Sequence, residues 1–252
     1  PNLTPYEDIQ VFDFAGADLI QVTDVVARET VGDATVTVQL TTLHGNLFVT
    51  TLPGGVTVTG NNSHILTLTG DIDLVNTSLA SLKYLSDLNY NGPDQVEILT
   101  DDLGHTGLGG AQTDTDTVSL TVLPTNDAPV NQFGGADFTG TPSLNVDEDT
   151  DLVFQGATKL GTSDVDVNEG TGVVKVTLTA THGILTVVNS VGGVTVLDNG
   201  TSLVTVEGPI AGVNSVLDGL KFRNDPVDFN DTNAIASVVI TTDDLGNTGY
   251  VT

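Results

Sequence analysis

Cysteine, methionine and tryptophan are absent from this 252-residue sequence. Without cysteine there is no disulfide framework, no thiolate nucleophile and no thiolate metal site. Basic residues are nearly as scarce: 6 Lys and Arg stand against 33 Asp and Glu, a formal net charge of −27. A phosphate backbone would be repelled by such a chain, which excludes non-specific nucleic-acid binding. No apolar run approaches the ~18 residues of a membrane span, so membrane insertion is not expected. Aromatic side chains are few, with 8 Phe and 4 Tyr. A carbohydrate-binding platform would have little to draw on. The chain opens at Pro1 with no signal-peptide pattern, which reads as a mature form or an excised fragment.

What is present is a strand-and-turn composition rich in Thr, Val and Gly, with 38% apolar residues. The acidity needs a physical reason, because self-repulsion destabilises a compact state. Bound cations, a salty medium and disorder are three candidates. The β-branched alternating runs are too regular for disorder. Acidity without cysteine fits an extracellular bacterial protein that does without disulfides.

The strongest feature is an internal repeat. The run from Ala34 to His44-Gly45 returns as Gly172 to His182-Gly183. Leu82-Lys83-Tyr84 returns as Leu220-Lys221-Phe222, Asp101-Asp102-Leu103-Gly104 as Asp243-Asp244-Leu245-Gly246, and Glu7-Asp8 as Glu148-Asp149. Order is preserved and the offsets drift by only a few residues. Two copies of one domain are therefore expected, residues 1–127 and residues 128–252. Between them lies the proline-bounded hinge Leu123 to Val130, carrying Asn126 and Asp127.

Within each copy the apolar period is two. Val36, Val38 and Leu40 alternate with Thr35, Thr37 and Gln39; Val174, Val176 and Leu178 alternate with Lys175, Thr177 and Thr179. Such runs are half-buried strands. Leu74, Val75, Leu79 and Leu82 break the pattern at helical spacing, as do Val213, Val216, Leu217 and Leu220, and predict one short helical turn per copy. About seven short strands per copy, separated by Gly, Asn and Asp turns, predict two tandem antiparallel Greek-key β-sandwiches, an all-β fold. The first copy continues through a last strand at Val118–Leu123, whereas only Tyr250, Val251 and Thr252 follow Gly249 in the second. The second sandwich is thus expected to lack its last strand, either because the chain was cut or because a neighbour supplies it by β-augmentation.

Acidic residues cluster at the ends of these strands. In Asp164-Val165-Asp166 the carboxylates sit at i and i+2, on one side of an extended backbone and able to bracket one ion. Calcium takes 6–8 oxygen ligands in flexible geometry, which suits loop Asp, Asn and carbonyl groups. An EF-hand fails here, because the twelfth position is Lys175, inside a strand. A solvated acidic turn is the alternative for this run taken alone. Val146 to Asp151, the two Asp-Asp-Leu-Gly segments and Asn126-Asp127 are further clusters; Asp114 and Asp116 read as a solvated strand entry, with a further ion site as the alternative. Catalysis finds little support. His44 and His182 occupy equivalent turns, and with His64 and His105 they complete no zinc-protease, phosphate-loop or Ser/His/Asp pattern. No enzyme is expected. Asn2, Asn61, Asn76, Asn199 and Asn230 head Asn-x-Ser/Thr sequons, which a Thr-rich sequence produces by chance.

Taken in order, Val146-Asp147-Glu148-Asp149, Asp164-Val165-Asp166, Asp102-Leu103-Gly104 and Asn126-Asp127-Ala128-Pro129 resemble the motifs of cadherin-type repeats. More specifically they are similar to the bacterial cadherin-like, Ig-like tandem repeats of large surface adhesins. The His-Gly and Leu-Lys-Tyr pieces also resemble chondroitin-sulfate-proteoglycan-type repeats. The resemblance implies calcium held between consecutive domains. Carried over by position, it implies Glu7, Asn126, Asp127, Asp164, Asp166 and Asp244 as ligands at the joint, with Asp87 at a weaker match. Glu148 would serve a joint downstream, and Asp24 and Asp102 a joint upstream. Asp24-Val25-Val26 departs from the pattern by lacking the second Asp. The linker is one residue shorter than the vertebrate form.

The resemblance implies a calcium-stiffened segment of a secreted bacterial cell-surface protein, an adhesin stalk. Its partners would be neighbouring repeats or identical subunits, with any cell-surface or glycan ligand bound through other domains. The alternatives are a self-assembling subunit of an extracellular filament, sheet or sheath that uses strand donation, and a carbohydrate-binding accessory module.

Overall fold

The computed structural model describes residues 2–8, 10–25, 34–104, 110–147, 149–224 and 235–246. Glu148, His105 and Asn230 lie outside the described residues. The chain falls into two units, Pro1–Thr125 and Asn126–Thr252. Both are all-β sandwiches with one short helix each.

In the first unit the strands are β1 (Asn2–Leu3), β2 (Phe12–Asp13), β3 (Thr35–Thr41), β4 (Gly45–Val49), β5 (Thr57–Thr59), β6 (Ile65–Asp71), β7 (Leu82–Ser86), β8 (Gly92–Asp101) and β9 (Thr113–Val122). One sheet runs β1-β9-β8-β3-β6-β5 and the other β2-β7-β4. All pairs are antiparallel except β1 with β9. The alternation read from the sequence explains the packing. Val36, Val38 and Leu40 share the inward face of β3 and join one buried cluster with Leu47, Leu66, Leu68, Leu82 and Tyr84. Each such aliphatic side chain contributes about 1.5–3 kcal/mol by leaving water.

The helix α1 (Ile72–Leu79) follows β6 directly. Asp71 caps it, accepting the Asp73 N–H at 3.0 Å. Ile72, Val75 and Leu79 form its buried face. Its exposed-looking Asn76 does more than head a sequon: Val22 N–H donates to Asn76 Oδ1 and Asn76 Nδ2 donates to the Val22 carbonyl, both at 2.9 Å. That amide clamp ties the helix to the extended segment leading to Asp24.

The second unit repeats this plan with β10 (Val130–Phe133), β11 (Ala136–Asp137), β12 (Leu152–Phe154), β13 (Leu160–Ser163), β14 (Val173–Thr181), β15 (Gly183–Thr186), β16 (Thr195–Leu197), β17 (Leu203–Pro209), β18 (Leu220–Asn224) and β19 (Ser237–Asp243). Its sheets are β16-β17-β14-β19, β12-β18-β15 and β11-β10-β13. The helix α2 (Ile210–Leu217) stands where α1 does. Asn214 repeats the clamp, accepting the Thr162 N–H and donating to the Thr162 carbonyl, both at 2.8 Å. Asn61 and Asn199 do the same for Val49 and Val187. Among the described residues no strand pairs with the outer side of β19, whereas the equivalent edge of β8 carries β9 along its whole length.

Two sequence motifs turn out to be one packing unit. Gly45 pairs with Ser86 and Gly183 with Asn224, beside Tyr84 and Phe222. A Cβ at Gly45 would stand 2.3 Å from the Tyr84 ring, and one at Gly183 would stand 2.1 Å from the Phe222 ring. The His-Gly turn therefore needs glycine because the aromatic residue of the Leu-Lys-aromatic segment lies against it.

Candidate metal centre

The acidic set of the second unit is built from three loops. The first follows β13. The sequence pattern predicts extended backbone through Asp164 and Asp166; instead the chain turns from Val165 onward. The reason is local. Asp164 Oδ1 accepts the Asp166 N–H at 3.0 Å, closing an Asx-type turn. Asp166 is then fixed by a further turn in which Glu169 N–H donates to the Asp166 carbonyl at 2.8 Å. A carboxylate oxygen of Asp166 and one of Glu169 lie within 4.8 Å of each other. Glu169 carries no weight in the sequence pattern; only the turn places it here.

The second loop is Asp243-Asp244-Leu245-Gly246, after β19. Leu245 has φ 61° and Gly246 φ 62°. Two consecutive left-handed residues, one of them leucine, are unfavourable unless something compensates. The aspartates do: Asp243 Oδ1 accepts the Leu245 N–H and Asp244 Oδ1 the Gly246 N–H, both at 2.8 Å. Asp101 and Asp102 build the same turn in the first unit, accepting from Leu103 and Gly104. The motif is a turn first, and it leaves the second oxygen of Asp244 available for another contact.

The third loop is the start of the unit itself. Asn126 Nδ2 donates to Asp244 Oδ2 at 2.7 Å, and the Asp127 N–H donates to Asp166 Oδ2 at 2.5 Å. The chain thus brings together Asn126, Asp127, Asp164, Asp166 and Asp244. Asp164, Asp166 and Asp244 are 8%, 2% and 9% exposed. Burying three carboxylates in neighbouring loops is costly unless each finds partners. Lys83, Lys221 and Arg223 are engaged elsewhere, with Asp13 and Asp151.

The donor chemistry fits calcium. It is all oxygen, without His or Cys, from irregular loops that tolerate variable ligand number. Asn126 currently presents its amide nitrogen to Asp244; a half-turn of the amide would present its oxygen.

The remaining sequence candidates sit in the first unit. Glu7 is 1% exposed. Its Oε1 accepts the Thr125 N–H at 2.9 Å and its backbone N–H donates to the Leu123 carbonyl at 3.0 Å, so Glu7 secures the last residues before Asn126. Asn91 Nδ2 reaches the same carboxylate at 3.4 Å. Asp87 lies in the turn after β7, with its N–H on the His44 carbonyl and its carboxylate 3.7 Å from His64 Nε2. Asp24 follows the segment held by Asn76, in the place that Asp164 takes in the second unit. Asp102 accepts the N–H groups of Gly104 and Gln112 through Oδ1.

One carboxylate at the His-Gly turn escapes sequence reasoning altogether. Asp94, buried on β8, accepts the N–H groups of Leu43 and His44 and, at 2.8 Å, the hydroxyl of Tyr84. Burial first, and then this hydrogen bond, hold the Tyr84 phenol well above its ordinary 10.0. His44 stacks on Tyr90 with ring centroids 3.9 Å apart.

Residues 32–106, within the first unit and under half the chain, match the family model of the Protein GAMETE EXPRESSED 2 domain. No curated protein matches the chain. Among solved structures, the chain is similar to one titled BspA_C_WT, at 9% identity and TM-score 0.21, over 87% of this chain and 78% of that one. It is also similar to the Streptococcus agalactiae AgI/II polypeptide BspA C terminal domain (WT), at 8% identity and TM-score 0.20, with the same coverage. At these TM-scores the likeness carries no argument about role. No helix among the described residues is long and apolar enough to cross a membrane.

Proposed function

We propose that this chain is a calcium-binding structural segment of a bacterial surface adhesin, in which the ion stiffens the joint between two repeats. The observation that carries the proposal is the gathering of Asn126 and Asp127, the first residues of the second unit, onto Asp166 and Asp244. Calcium there would neutralise the buried carboxylates and fix the linker residues to the second sandwich. Glu7, bonded to Thr125 one residue earlier, extends the ordered path through the chain into the first unit. By the cadherin-type pattern its carboxylate would join the ligand set.

The physical role of the ion follows from linkage. Calcium binds the ordered ligand set and not the separated one, so it stabilises the ordered set by mass action. Removing it leaves like charges facing one another and releases the hinge. The partners on this reading are neighbouring repeats, and the location is the cell surface. Phe14, Tyr84, Phe154 and Phe222 are buried in the two cores and unavailable as a sugar platform, which disfavours the carbohydrate-binding alternative.

Small-angle scattering of the full chain in calcium and in chelator tests the stiffening. A longer, narrower distribution of interatomic distances in calcium, collapsing to a broad one on chelation and unresponsive in Asp127→Asn/Asp166→Asn, is the expected result. Profiles that superimpose in the two conditions would remove calcium from the mechanical account. The strand-donation alternative has its own observation: among the described residues no strand pairs with the outer side of β19.

A further inference from the structure

A cavity of about 370 Å³ lies within the second unit, where α2, β13 and the β10–β11 hairpin meet; Gln132, Lys159, Gly161, Asn189, Asn214 and Asp218 are among its walls. That volume is enough for a small molecule. Comparison with the first unit shows why it is open. Asn76 and Asn214 clamp equivalent segments, so Leu19 is the counterpart of Lys159, Gln21 of Gly161 and Ala80 of Asp218. A Cβ at Gly161 would stand 3.2 Å from Asn214 Oδ1 and 3.9 Å from Gln132 Cβ. A side chain there would grow between two walls, and glycine keeps the space free. Among the described residues the first unit has no counterpart of the β10–β11 hairpin. That hairpin also holds the lysine. Gly134 N–H donates to the Lys159 carbonyl at 2.9 Å, and Lys159 Nζ lies 3.9 Å from where a Cβ on Gly135 would stand.

The polar groups around the cavity are unevenly spent. Asn189 Nδ2 donates to the carbonyls of Ser215 and Asp218, and Gln132 Nε2 donates to Asp137 Oδ1 and Ser163 Oγ. Carbonyl and carboxylate oxygens only accept, which fixes the orientation of both amides. Asn189 Oδ1 and Gln132 Oε1 therefore keep their capacity to accept. Asn214 has spent both amide atoms on its clamp. Lys83, Lys221 and Arg223 are held in ion pairs. Among the described residues the Lys159 ammonium and the Asp218 carboxylate have no such partner, and both are solvent-accessible. The cavity thus offers three acceptor groups and one cationic donor.

We propose that this cavity binds a small zwitterion, of the size of a free amino acid or a dipeptide. The ammonium group brings three N–H donors for Asp218, Asn189 Oδ1 and Gln132 Oε1, and the carboxylate takes Lys159. A simple anion would use Lys159 alone and meet the repulsion of a chain of net charge −27. A simple cation would face Lys159 without a partner for it. A zwitterion carries no net charge and uses both ends of the site.

The test titrates the isotope-labelled full chain with alanine and alanyl-alanine and follows its amide resonances. The controls are alanyl-alaninamide, which lacks the carboxylate, N-acetyl-alanyl-alanine, which lacks the ammonium, and glucose, a neutral polyol. Saturable shifts at Lys159–Gly161 and around Asn189 and Asp218 are expected with at least one zwitterion, with none at Leu19–Gln21 of the first unit. Each capped peptide should bind at least about tenfold more weakly. Lys159→Leu and Asp218→Ala, which install the residues of the first unit, should each weaken binding by a similar factor, and Gly161→Gln should abolish it. If Gly161→Gln unfolds the second unit, the other two variants, at exposed positions, still decide the question. Failure of both zwitterions to give saturable shifts would overturn the proposal. So would equal binding of a capped peptide or of glucose, or affinity unchanged in both Lys159→Leu and Asp218→Ala. None of these residues belongs to the acidic set, so the outcome is independent of the metal centre.

Discussion

The two units keep one core and finish it differently. Val38 and Leu40 of β3 match Val176 and Leu178 of β14, all four fully buried, and Asn76 and Asn214 clamp equivalent segments. Around that constant core three things change. The first unit covers the edge of β8 with β9, whereas the second leaves β19 uncovered by any described strand. The first unit secures its His-Gly turn with the Tyr84–Asp94 hydrogen bond, where the second has Phe222 and Ala236. The second unit assembles Asp164, Asp166 and Asp244 with Asn126 and Asp127, where the first has Asp24 followed two residues later by valine. The difference teaches that the repeat is conserved as packing and diversified at its turns and edges, where polar chemistry can change without disturbing the core.

The largest break in the comparison is expected at Asp94. Asp94→Ala withdraws an acceptor from two part-buried N–H groups and a buried phenol, and should destabilise the first unit by about 2–4 kcal/mol. Urea unfolding followed by unit-resolved amide exchange would show the second unit unaffected. Equal loss in both units would mean that Asp94 is not a local fastener. Next come the glycines. Gly45→Ala and Gly183→Ala each drive a methyl into an aromatic ring and should cost about 1–3 kcal/mol, alike in both units. A cost confined to one unit would break the claimed equivalence of the two turns.

The Tyr84–Phe222 difference also predicts a pH asymmetry. The folded-state value of Tyr84 is raised, so its contribution is full below the ordinary tyrosine value of 10.0 and is lost as pH rises above it. The first unit should therefore lose stability in alkali, and Tyr84→Phe should flatten that loss while the second unit follows no such profile. Exchange measured across the alkaline range checks it. The smallest effect belongs to His182, which holds φ 53° where its counterpart His44 does not. His182→Gly should be neutral or stabilising by up to about 1 kcal/mol, whereas His44→Ala should lose about 0.5–1.5 kcal/mol with the Tyr90 stack.

Much of the architecture is legible in the sequence because its period is physical. Val36, Val38 and Leu40 declare a strand by alternation, and Val213, Val216 and Leu217 declare a helix by spacing. The β10–β11 hairpin is not legible, since Val130–Phe133 alternates too briefly to signal it. Asp94 is hidden because the N–H groups it accepts from lie about 50 residues away and β8 presents it as one more polar strand residue. The asparagine clamps at Asn61, Asn76 and Asn199 are hidden behind an unrelated sequon pattern, and Asn214 reads as one more polar helix residue. At the acidic centre, residue types reveal the donors, but turn geometry decides their placement. Asp164 and Asp166 meet through an Asx turn rather than an extended strand, and Glu169 arrives by the turn that follows.

The central claim is that the buried acidic set of the second unit is a calcium site. Calorimetric titration of calcium into the full chain, paired with thermal melting in calcium and in chelator, tests it most directly. Saturable binding with a raised melting temperature, both lost in Asp166→Asn and retained in Asp13→Asn, is the result this account predicts. Absence of binding heat together with identical melting in calcium and in chelator would contradict it, and would leave the −27 charge as an adaptation of the surface to salt.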